Sequence, residues 1–321
     1  MPKILVTGGA GYIGSHACLD LFQKGFTPIA YDDLSNGHAQ FAKWGPLEIG
    51  DVRDRKRLDE VLAKHKPVAI IHFAARIEIS ESVRNPIDCY DNNVGGTISL
   101  LRSALAAGID KIVFSSTCAT YGVPSSIPIC ESHPQAPINP YGRSKLIVEQ
   151  ILKDLDQYRG FRHVILRYFN AAGADPEGRI GEWHSPETHA IPLAIEAALG
   201  RRSHFQVFGT DYDTRDGTCL RDFVHVLDLA DAHTRAIEHL LSGGSSLAIN
   251  LGTGDGTTVK ELLQSVERVL GKSFDIRYGP RREGDAPSLL ADNTLAKRMI
   301  GWLPRHDLTS IIDTAWNWHA R

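Results

Sequence analysis

The sequence has few of the features that mark several large classes of protein. Its 321 residues include only five cysteines, and none of them forms a C-x-x-C pair or another metal-like spacing: Cys18, Cys89, Cys118, Cys130 and Cys219. A disulfide framework and a cysteine-based zinc site are therefore not indicated. We expect free thiols in a reducing compartment.

Basic blocks and long apolar runs are also missing. The formal net charge is -3, and the sequence has no local concentration of lysine and arginine that would favour binding to nucleic acid. The apolar stretch Ile4–Val6 begins close to Met1, so we expect no signal peptide, no membrane contact and a cytoplasmic location. With 42% apolar and 23% charged residues, the chain is expected to be globular and large enough for two domains.

A glycine-rich stretch, Thr7–Gly14, follows this apolar run and precedes an amphipathic segment. Its glycines at positions 8, 11 and 14 permit a sharp turn, close approach of a ligand and tight packing of a helix on a strand. A helix that begins here directs free N–H groups and the positive end of its dipole at a phosphate. A glycine-rich turn that binds no ligand can have the same sequence pattern, so the interpretation depends on the surrounding sequence.

The surrounding sequence includes an acid at the expected distance. Asp32 follows the predicted second strand, Pro28–Tyr31, about twenty residues past the glycines, where a carboxylate accepts a hydrogen bond from a ribose 2′-hydroxyl and repels a 2′-phosphate. Asp33 is adjacent, and no arginine occurs before Arg53. We therefore predict NAD rather than NADP as the cofactor.

Strands and helices alternate through the first half of the chain, which predicts a parallel, doubly wound sheet with ligands beyond the carboxyl ends of its strands. Asp51 follows a short apolar stretch and is either an adenine ligand or a helix N-cap. Val68–Ala75 is predicted to be the fourth strand, with small residues at its end. The fifth, Lys111–Phe114, is followed by three hydroxyl residues.

Tyr141 and Lys145 are candidate catalytic residues. They lie one helical turn apart, after a proline that suits a helix start. An ammonium near a phenol favours the phenolate. A free tyrosine has a pKa of about 10, which must fall by about three units for a base near neutrality, and a cationic nicotinamide would assist. Alone, Tyr-x-x-x-Lys is mostly a solvated helix pair, but here it follows the strand that ends in hydroxyl residues.

Several segments, in order and over essentially the whole length, resemble the extended short-chain dehydrogenase/reductases and among them the UDP-glucose 4-epimerases. The matching segments are Thr7–Gly14, Gly50–Asp51, Phe114–Gly122, Tyr141–Lys145, Leu166–Asn170, Arg221–Ala230 and Arg281–Asp285. The resemblance implies an α/β protein with a Rossmann-type, doubly wound parallel sheet and a smaller, interleaved C-terminal substrate-binding domain. We expect the NAD-binding domain in residues 1–170, with returning segments near 221–252, and the UDP-sugar-binding domain mainly in 171–321.

The activity implied by the resemblance is NAD-dependent interconversion of UDP-galactose and UDP-glucose through a 4-keto sugar. Tyr141 would be the base at the sugar 4-hydroxyl, Lys145 would support its charge and bind the nicotinamide ribose, and Thr117 would bridge sugar and tyrosine. The residues implied to bind NAD are Gly8, Gly11, Tyr12, Ile13, Gly14, Asp32, Asp51, Val52, Phe73, Ala74, Ala75, Asn92, Ser115, Tyr141, Lys145 and Tyr168.

The UDP-sugar is implied to bind at Thr117, Tyr141, Asn170, His189, Gln206, Val207, Phe208, Arg221, Arg282, Asp285 and Leu289. The two arginines are candidate clamps for the diphosphate, because a guanidinium fork matches two phosphate oxygens, and residues 206–208 form the expected uracil edge. The family also implies a homodimer through the helices after Asn92 and after Tyr141.

Three positions qualify the resemblance. Related dehydratases carry an acidic pair where Cys118 and Ala119 stand here, which argues against dehydration. Some family members have a lysine shortly after the fourth strand, where this chain has Ile77. Leu289 stands where a tyrosine gates the hexose pocket against 2-acetamido groups, so it is either an opened gate, with turnover of UDP-GlcNAc and UDP-GalNAc, or a core leucine.

Two histidines, His184 and His189, lie near Glu182 and Glu187 in the loop-rich second half. Their spacing matches no metal motif, so we expect lid or substrate contacts and no metal. Other functions stay open: 4-epimerisation of UDP-xylose and UDP-arabinose, net oxidation of a nucleotide sugar with Cys118 as nucleophile, and a catalytically idle NAD sensor.

Overall fold

The computed structural model describes residues 1–282 and 285–321. Glu283 and Gly284, within the segment Arg281–Asp285, lie outside the described residues. The strands are β1 (Lys3–Thr7), β2 (Thr27–Asp32), β3 (Leu47–Ile49), β4 (Ala69–His72), β5 (Lys111–Thr117), β6 (Arg162–Tyr168), β7 (Asn170–Ala172), β8 (Phe205–Phe208), β9 (Leu220–Arg221), β10 (Phe223–His225), β11 (Leu247–Leu251), β12 (Thr257–Thr258) and β13 (Ile276–Gly279). The helices are α1 (Tyr12–Gln23), α2 (Arg55–His65), α3 (Ile79–Arg84), α4 (Pro86–Tyr90), α5 (Gly96–Ala106), α6 (Pro140–Arg159), α7 (Ala190–Ala198), α8 (Val226–Leu241), α9 (Val259–Leu270), α10 (Thr294–Ile300) and α11 (Leu308–His319).

The centre of the molecule is a seven-stranded sheet in the order β11-β6-β5-β4-β1-β2-β3. Every neighbouring pair in it is parallel, and the strands run as continuous apolar sequence because helices cover both faces. The order reverses between β1 and β4, and ligands of such sheets bind beyond the carboxyl ends of strands at this switch point. The predicted Rossmann-type doubly wound sheet is confirmed.

N-cap residues explain where two helices of the first half begin. Asn139 caps α6 by accepting a hydrogen bond from the Gly142 N–H at 2.8 Å, with proline at the first helical position, where no donor is needed. Asp54 caps α2 by accepting from the Arg57 N–H. The alternative that Asp51 is the N-cap is therefore wrong, because the helix begins later than the sequence pattern indicated.

The fourth strand is also shorter than predicted and ends at His72. Beyond it, the N–H groups of Phe73 and Ala74 both donate to the carbonyl oxygen of Thr7, at 2.9 and 3.1 Å. The chain therefore leaves the sheet over the glycine-rich turn, which brings the residues after β4 to the switch point.

The second half of the chain crosses back to the first. β11 pairs with β6 in register from Leu247 opposite Val164, and α8 packs against α1. A separate apolar core joins α7, β8, α9 and α11 through buried residues that include Ile195, Val207 and Leu262. Among residues 1–282 and 285–321, no helix has both the length and the apolar character needed to cross a membrane.

Candidate active site

The glycine-rich turn has a backbone that other residues would not fit. Gly8 has φ +72°, and a Cβ added there would lie 2.8 Å from the backbone nitrogen of Ala74. A Cβ on Gly14 would overlap the carbonyl oxygen of Gly8. Gly11 stands at the N-cap of α1 and carries no capping side chain, so the first N–H groups of this helix suit a phosphate. Together these features fit a dinucleotide diphosphate.

Tyr12 and Ile13 open α1 beside this turn. The Tyr12 hydroxyl donates to the carbonyl oxygen of Gly173 at 2.6 Å, and burial raises its pKa well above the usual value. The side chain therefore anchors the turn to the second half of the chain, and only its backbone is available for a diphosphate.

Asp32 lies at the carboxyl end of β2, as predicted, and is nearly inaccessible. Its Oδ2 accepts from the Ala10 N–H and its Oδ1 from the Leu34 N–H, both at 2.9 Å. Burial raises its pKa above the usual range, while these two hydrogen bonds act in the opposite direction. Asp32 thus organises the backbone on both sides of the crevice, and its oxygens retain lone pairs for ribose hydroxyls.

Asp51 pairs with the guanidinium of Arg53 at 2.6 Å, and Arg53 also reaches Asp91 at 2.8 Å. Val52 is buried in the core. Next to this pair, Asn92 donates to the side-chain oxygen of Asn93 at 3.1 Å. The three predicted cofactor residues 51, 52 and 92 therefore lie near one another.

Asn93 belongs to this site although the sequence did not predict it. It lies in a π-helical turn, Asp91–Gly95, and its amide pairs with the backbone of Arg76 in both directions, at 2.7 and 3.0 Å. Its Nδ2 also lies 3.0 Å from the Ser144 hydroxyl on α6. A π-turn at a functional site is common, but the i→i+5 pattern has no sequence signature that could have revealed it.

The three residues predicted to carry the chemistry lie together. Thr117 ends β5, and Tyr141 and Lys145 occupy one face of the first turns of α6. The Lys145 Nζ donates to the carbonyl oxygen of Ser115 at 2.8 Å and lies 5.9 Å from the centre of the Tyr141 ring. Lys145 is buried, whereas Tyr141 is only half-buried, so the phenol is the member of the group that a ligand can reach.

Burial opposes charge on both residues. It raises the pKa of Tyr141 above its usual value, and a hydrogen bond from Thr117 acts in the opposite direction. Burial also lowers the pKa of Lys145 to about 7. The expected depression of the tyrosine pKa by Lys145 is therefore not observed, because desolvation outweighs the attraction of an ammonium in this position.

Ser115 and Tyr168, both predicted at the cofactor, are hydrogen-bonded through their hydroxyl groups. The Tyr168 ring lies 5.9 Å from that of His233, which lies 4.5 Å from the ring of Phe73. These side chains form one wall behind Lys145. Ala74 and Ala75 follow Phe73 beside Gly8 and leave its backbone accessible.

A buried ion pair supports this wall. Arg167 on β6 donates to Glu149 on α6 at 2.6 and 2.9 Å, and Glu149 also accepts from Ser116 at 2.6 Å. Glu149 lies one turn beyond Lys145 on the same helix face, so its i+4 spacing was a signal in the sequence. Neither partner was among the predicted site residues.

The predicted diphosphate clamps converge as well. Arg282 donates to Asp285 at 3.0 and 3.2 Å, and its guanidinium lies 5.6 Å from the centre of the Phe208 ring. Arg221 donates to the carbonyl oxygen of Ala286 at 2.9 Å and lies 3.8 Å from Asp285. Residues from three distant parts of the chain thus present two guanidinium groups and an aromatic face together.

Other predicted substrate residues have different surroundings. The Val207 side chain is buried in the second core, so it could offer only its backbone. The Gln206 amide donates to the carbonyl oxygens of Val207 and Arg277 at 3.1 and 3.3 Å. Asn170 begins β7, and its N–H donates to the carbonyl oxygen of Asp222 at 2.9 Å.

Leu289 packs against a small apolar cluster that includes Cys118 and Phe169. This cluster includes the residue that follows Thr117. Burial raises the pKa of the Cys118 thiol to about 12, which leaves almost no thiolate near neutral pH. The alternative of Cys118 as a nucleophile lacks chemical support, because the thiolate is the reactive form.

His189 has a different environment from the one expected of a substrate ligand. Its Nδ1 lies 2.8 Å from Glu182 and 3.0 Å from Glu187, and His184 lies against the same two carboxylates. These contacts raise the pKa of His189 to about 10 and that of His184 to about 9, against the opposing effect of burial.

Comparison with known proteins identifies the family of this chain. Over 319 residues the chain is 68% identical to the UDP-glucose 4-epimerase of Rhizobium meliloti (strain 1021), covering 99% of this chain and 97% of the relative. The chain belongs to the UDP-glucose 4-epimerase family. The broader NAD dependent epimerase/dehydratase family matches residues 4–252.

Solved structures of this epimerase family have the same fold along the whole chain. The UDP-glucose 4-epimerase from Brucella ovis in complex with NAD has a TM-score of 0.97 at 50% identity, covering 99% of both chains. The UDP-Glc/GlcNAc 4-epimerase from Campylobacter jejuni has a TM-score of 0.87 at 39% identity, covering 100% of this chain and 99% of that one. The predicted family and cofactor are thereby confirmed.

Proposed function

We propose that this epimerase interconverts UDP-glucose and UDP-galactose by oxidation at C4 to a 4-keto sugar and re-reduction on the other face, with Tyr141 moving the 4-hydroxyl proton. The observation that carries this assignment is the meeting of Thr117, Tyr141 and Lys145 at the carboxyl end of β5. A catalytically idle NAD sensor would not need these three side chains together.

NAD would be held by the glycine-rich turn, by Asp32 and by the wall of Ser115 and Tyr168. When bound, it supplies a hydride acceptor that returns the hydride within the same catalytic cycle, so the reaction is redox neutral. Tyr141 and Lys145 supply what the cofactor lacks, a proton acceptor and a nearby cation. Because both lie in a site of low polarity, their protonation responds strongly to an added positive charge.

The proton step follows from these positions. Burial raises the pKa of the Tyr141 hydroxyl and so favours its protonated form. A cationic ring in the crevice would offset that desolvation, and Thr117 would hydrogen-bond both the sugar and the phenol. Tyr141 would therefore accept a proton when NAD is bound and would stay protonated otherwise.

The direct test is incubation of the purified protein with UDP-galactose and no added cofactor, followed by measurement of UDP-glucose. We expect conversion, because a redox-neutral cycle leaves the bound NAD unchanged. Absence of product from protein that demonstrably contains NAD would overturn the hexose assignment.

The nucleotide part of the substrate would bind where Phe208, Arg221 and Arg282 converge, with the arginines on the diphosphate. The aromatic face offers stacking for uracil, and Arg282 beside it adds charge. On this assignment residues 1–170 and the returning segments near 221–252 hold NAD, and residues 171–321 mainly hold the UDP-sugar.

A second substrate pair, UDP-GlcNAc and UDP-GalNAc, is favoured by Leu289. Its side chain packs against the apolar cluster that includes Cys118, and a tyrosine at this position would occupy more space. The Campylobacter jejuni relative, named for both Glc and GlcNAc substrates, makes this extension reasonable. Comparison of both pairs in wild type and Leu289→Tyr tests it. Equal acetamido turnover in both proteins, or none in the wild type, would leave Leu289 as a core residue.

A homodimer is part of the same proposal. α3 and α4 pack beside α6 and leave Val83 and Ile87 60% and 76% exposed, which is costly for branched apolar side chains in a monomer. Light scattering at micromolar concentration should give the mass of a dimer, and a monomer alone would contradict this assignment. A cytoplasmic location stays a prediction, consistent with five free cysteines.

A further inference from the structure

Four side chains that the catalytic proposal leaves unused converge in the loop before α7. Glu182, His184, Glu187 and His189 each offer one ligand atom, and these atoms all lie within 4.8 Å of one another. Both carboxylates are almost completely buried. Two buried carboxylates close together repel each other strongly unless cations neutralise them.

The spacing of the atoms is compatible with one shared metal ion, and the His189 Nδ1 also makes a hydrogen bond to Glu187 Oε1. The His189 Nδ1 lies 2.8 Å from Glu182 and 3.0 Å from Glu187, and the His184 Nδ1 lies 3.3 and 3.7 Å from the same carboxylates. Ligands about 2.0–2.2 Å from a tetrahedral Zn²⁺ lie about 3.3–3.6 Å from one another. The observed distances bracket that value.

His184 adds an independent observation. Its Nδ1 is buried and has no hydrogen-bond partner among the residues that the structure describes, although it lies close to both carboxylates. A ring nitrogen that faces two carboxylate oxygens without donor alignment has the geometry of a ligand directed at a shared centre. Buried polar atoms are otherwise nearly always paired.

The supporting contacts are also those of a metal site. Oε1 of Glu187 accepts from the N–H groups of Thr188 and His189 at 2.7 and 2.8 Å, which orients the carboxylate. The Glu182 carbonyl accepts from the Trp318 Nε1 on α11 at 2.8 Å. The hydrogen bonds to the Glu187 carboxylate are of the kind that holds metal ligands in place, and the bond from Trp318 fixes the backbone of Glu182.

We propose that Glu182, His184, Glu187 and His189 bind one divalent transition-metal ion of the Zn²⁺ type. Imidazole nitrogen and carboxylate oxygen are suitable ligands for this ion, and two carboxylates neutralise its charge. The site is structural, because all four positions of a tetrahedron come from the protein. It fastens residues 182–189 next to Tyr12, whose ring lies 6.3 Å from that of His184.

The experiment uses Zn²⁺ itself as the probe. Wild-type protein is dialysed against a chelator, and Zn²⁺ is then titrated by calorimetry while the thermal unfolding midpoint is followed. Parallel samples carry His184→Asn, Glu187→Gln or the control His204→Asn, a histidine hydrogen-bonded to its neighbour Ser203. Glu187→Gln keeps the volume and the acceptor for the two backbone N–H groups, so it should fold even where His184→Asn does not.

We expect wild type and His204→Asn to bind about one Zn²⁺ per chain and to unfold at a higher temperature with the ion, with Mg²⁺ much weaker because it prefers oxygen ligands. Glu187→Gln and His184→Asn should bind at least about tenfold more weakly. Equal Zn²⁺ binding by these variants and wild type would overturn the proposal, as would a wild type that binds none and holds the four residues as a protonated ion cluster. Neither outcome bears on the epimerase assignment.

Discussion

The cofactor half and the sugar-nucleotide half of this protein are built in opposite ways. The cofactor turn comes from one continuous stretch whose backbone would bind NAD, and its glycines at positions 8 and 14 are required because a Cβ at either would clash with neighbouring backbone. In the proposed assignment, the sugar-nucleotide half draws Phe208, Arg221 and Arg282 from separate segments, and their long side chains would contact the ligand. The first arrangement links binding to folding, whereas the second allows binding to change while the fold persists.

The sharpest test concerns the phenol that both halves face. Tyr141→Phe removes the proton acceptor while keeping the ring, so turnover should fall by about 10²–10⁴-fold with NAD and UDP still bound. Tyr158→Phe, on the same helix but 73% exposed, is the matched control. Steady-state kinetics with UDP-galactose makes the comparison, and near-normal turnover by Tyr141→Phe would remove the assignment.

The sugar-nucleotide half should lose binding without losing its fold. Arg282→Ala removes a charged hydrogen-bonding group that contributes about 1.5–3 kcal/mol, so KM for the UDP-sugar should rise about 10- to 100-fold with a smaller change in kcat. Arg277→Ala is the control, since it is equally exposed and pairs with Asp275 at the surface. The idea fails if both variants behave alike.

The cofactor half should show the reverse. Gly14→Ala places a Cβ against the Gly8 carbonyl oxygen, and such overpacking costs about 1–3 kcal/mol of unfolding free energy while weakening NAD. Gly95→Ala has its nearest contact at 3.5 Å, to the Asp91 side chain, and serves as control. The unfolding free energy measured in urea and the NAD content should both decrease. A decrease in only one of them would show that NAD binding and folding are independent at this position.

The last test is a pH dependence. Burial lowers the pKa of Lys145 to about 7, below its unfolded value of about 10.4, so between these values the unfolded chain binds more protons. Stability of the cofactor-free protein should therefore rise with pH, by at most about 1.4 kcal/mol per pH unit. Because other groups titrate too, the measurement is the difference in unfolding free energy between wild type and Lys145→Met from pH 7 to 9. If this difference in unfolding free energy did not change with pH, the prediction would be contradicted.

Much of the site could be predicted because its chemistry has short spacings. The glycines with Asp32, and Tyr141 with Lys145, are each close in sequence or at a fixed offset, and the sheet places them at its carboxyl edge. The protonation of Tyr141 could not be predicted, since it depends on how completely the fold excludes water. Asn93 and the Glu149–Arg167 pair were missed for a related reason, because burial rather than spacing makes them important.

The sequence alone predicted the doubly wound sheet and NAD, since strand–turn–helix periodicity and glycine geometry are local properties of the backbone, and its family resemblance supplied the proposed catalytic residues. Only the tertiary structure decided that Glu182, His184, Glu187 and His189 meet in one cluster, although their spacing predicted no metal. Their separation along a loop carries no regular geometry. The packing of that loop against Tyr12 and Trp318 brings the four side chains together.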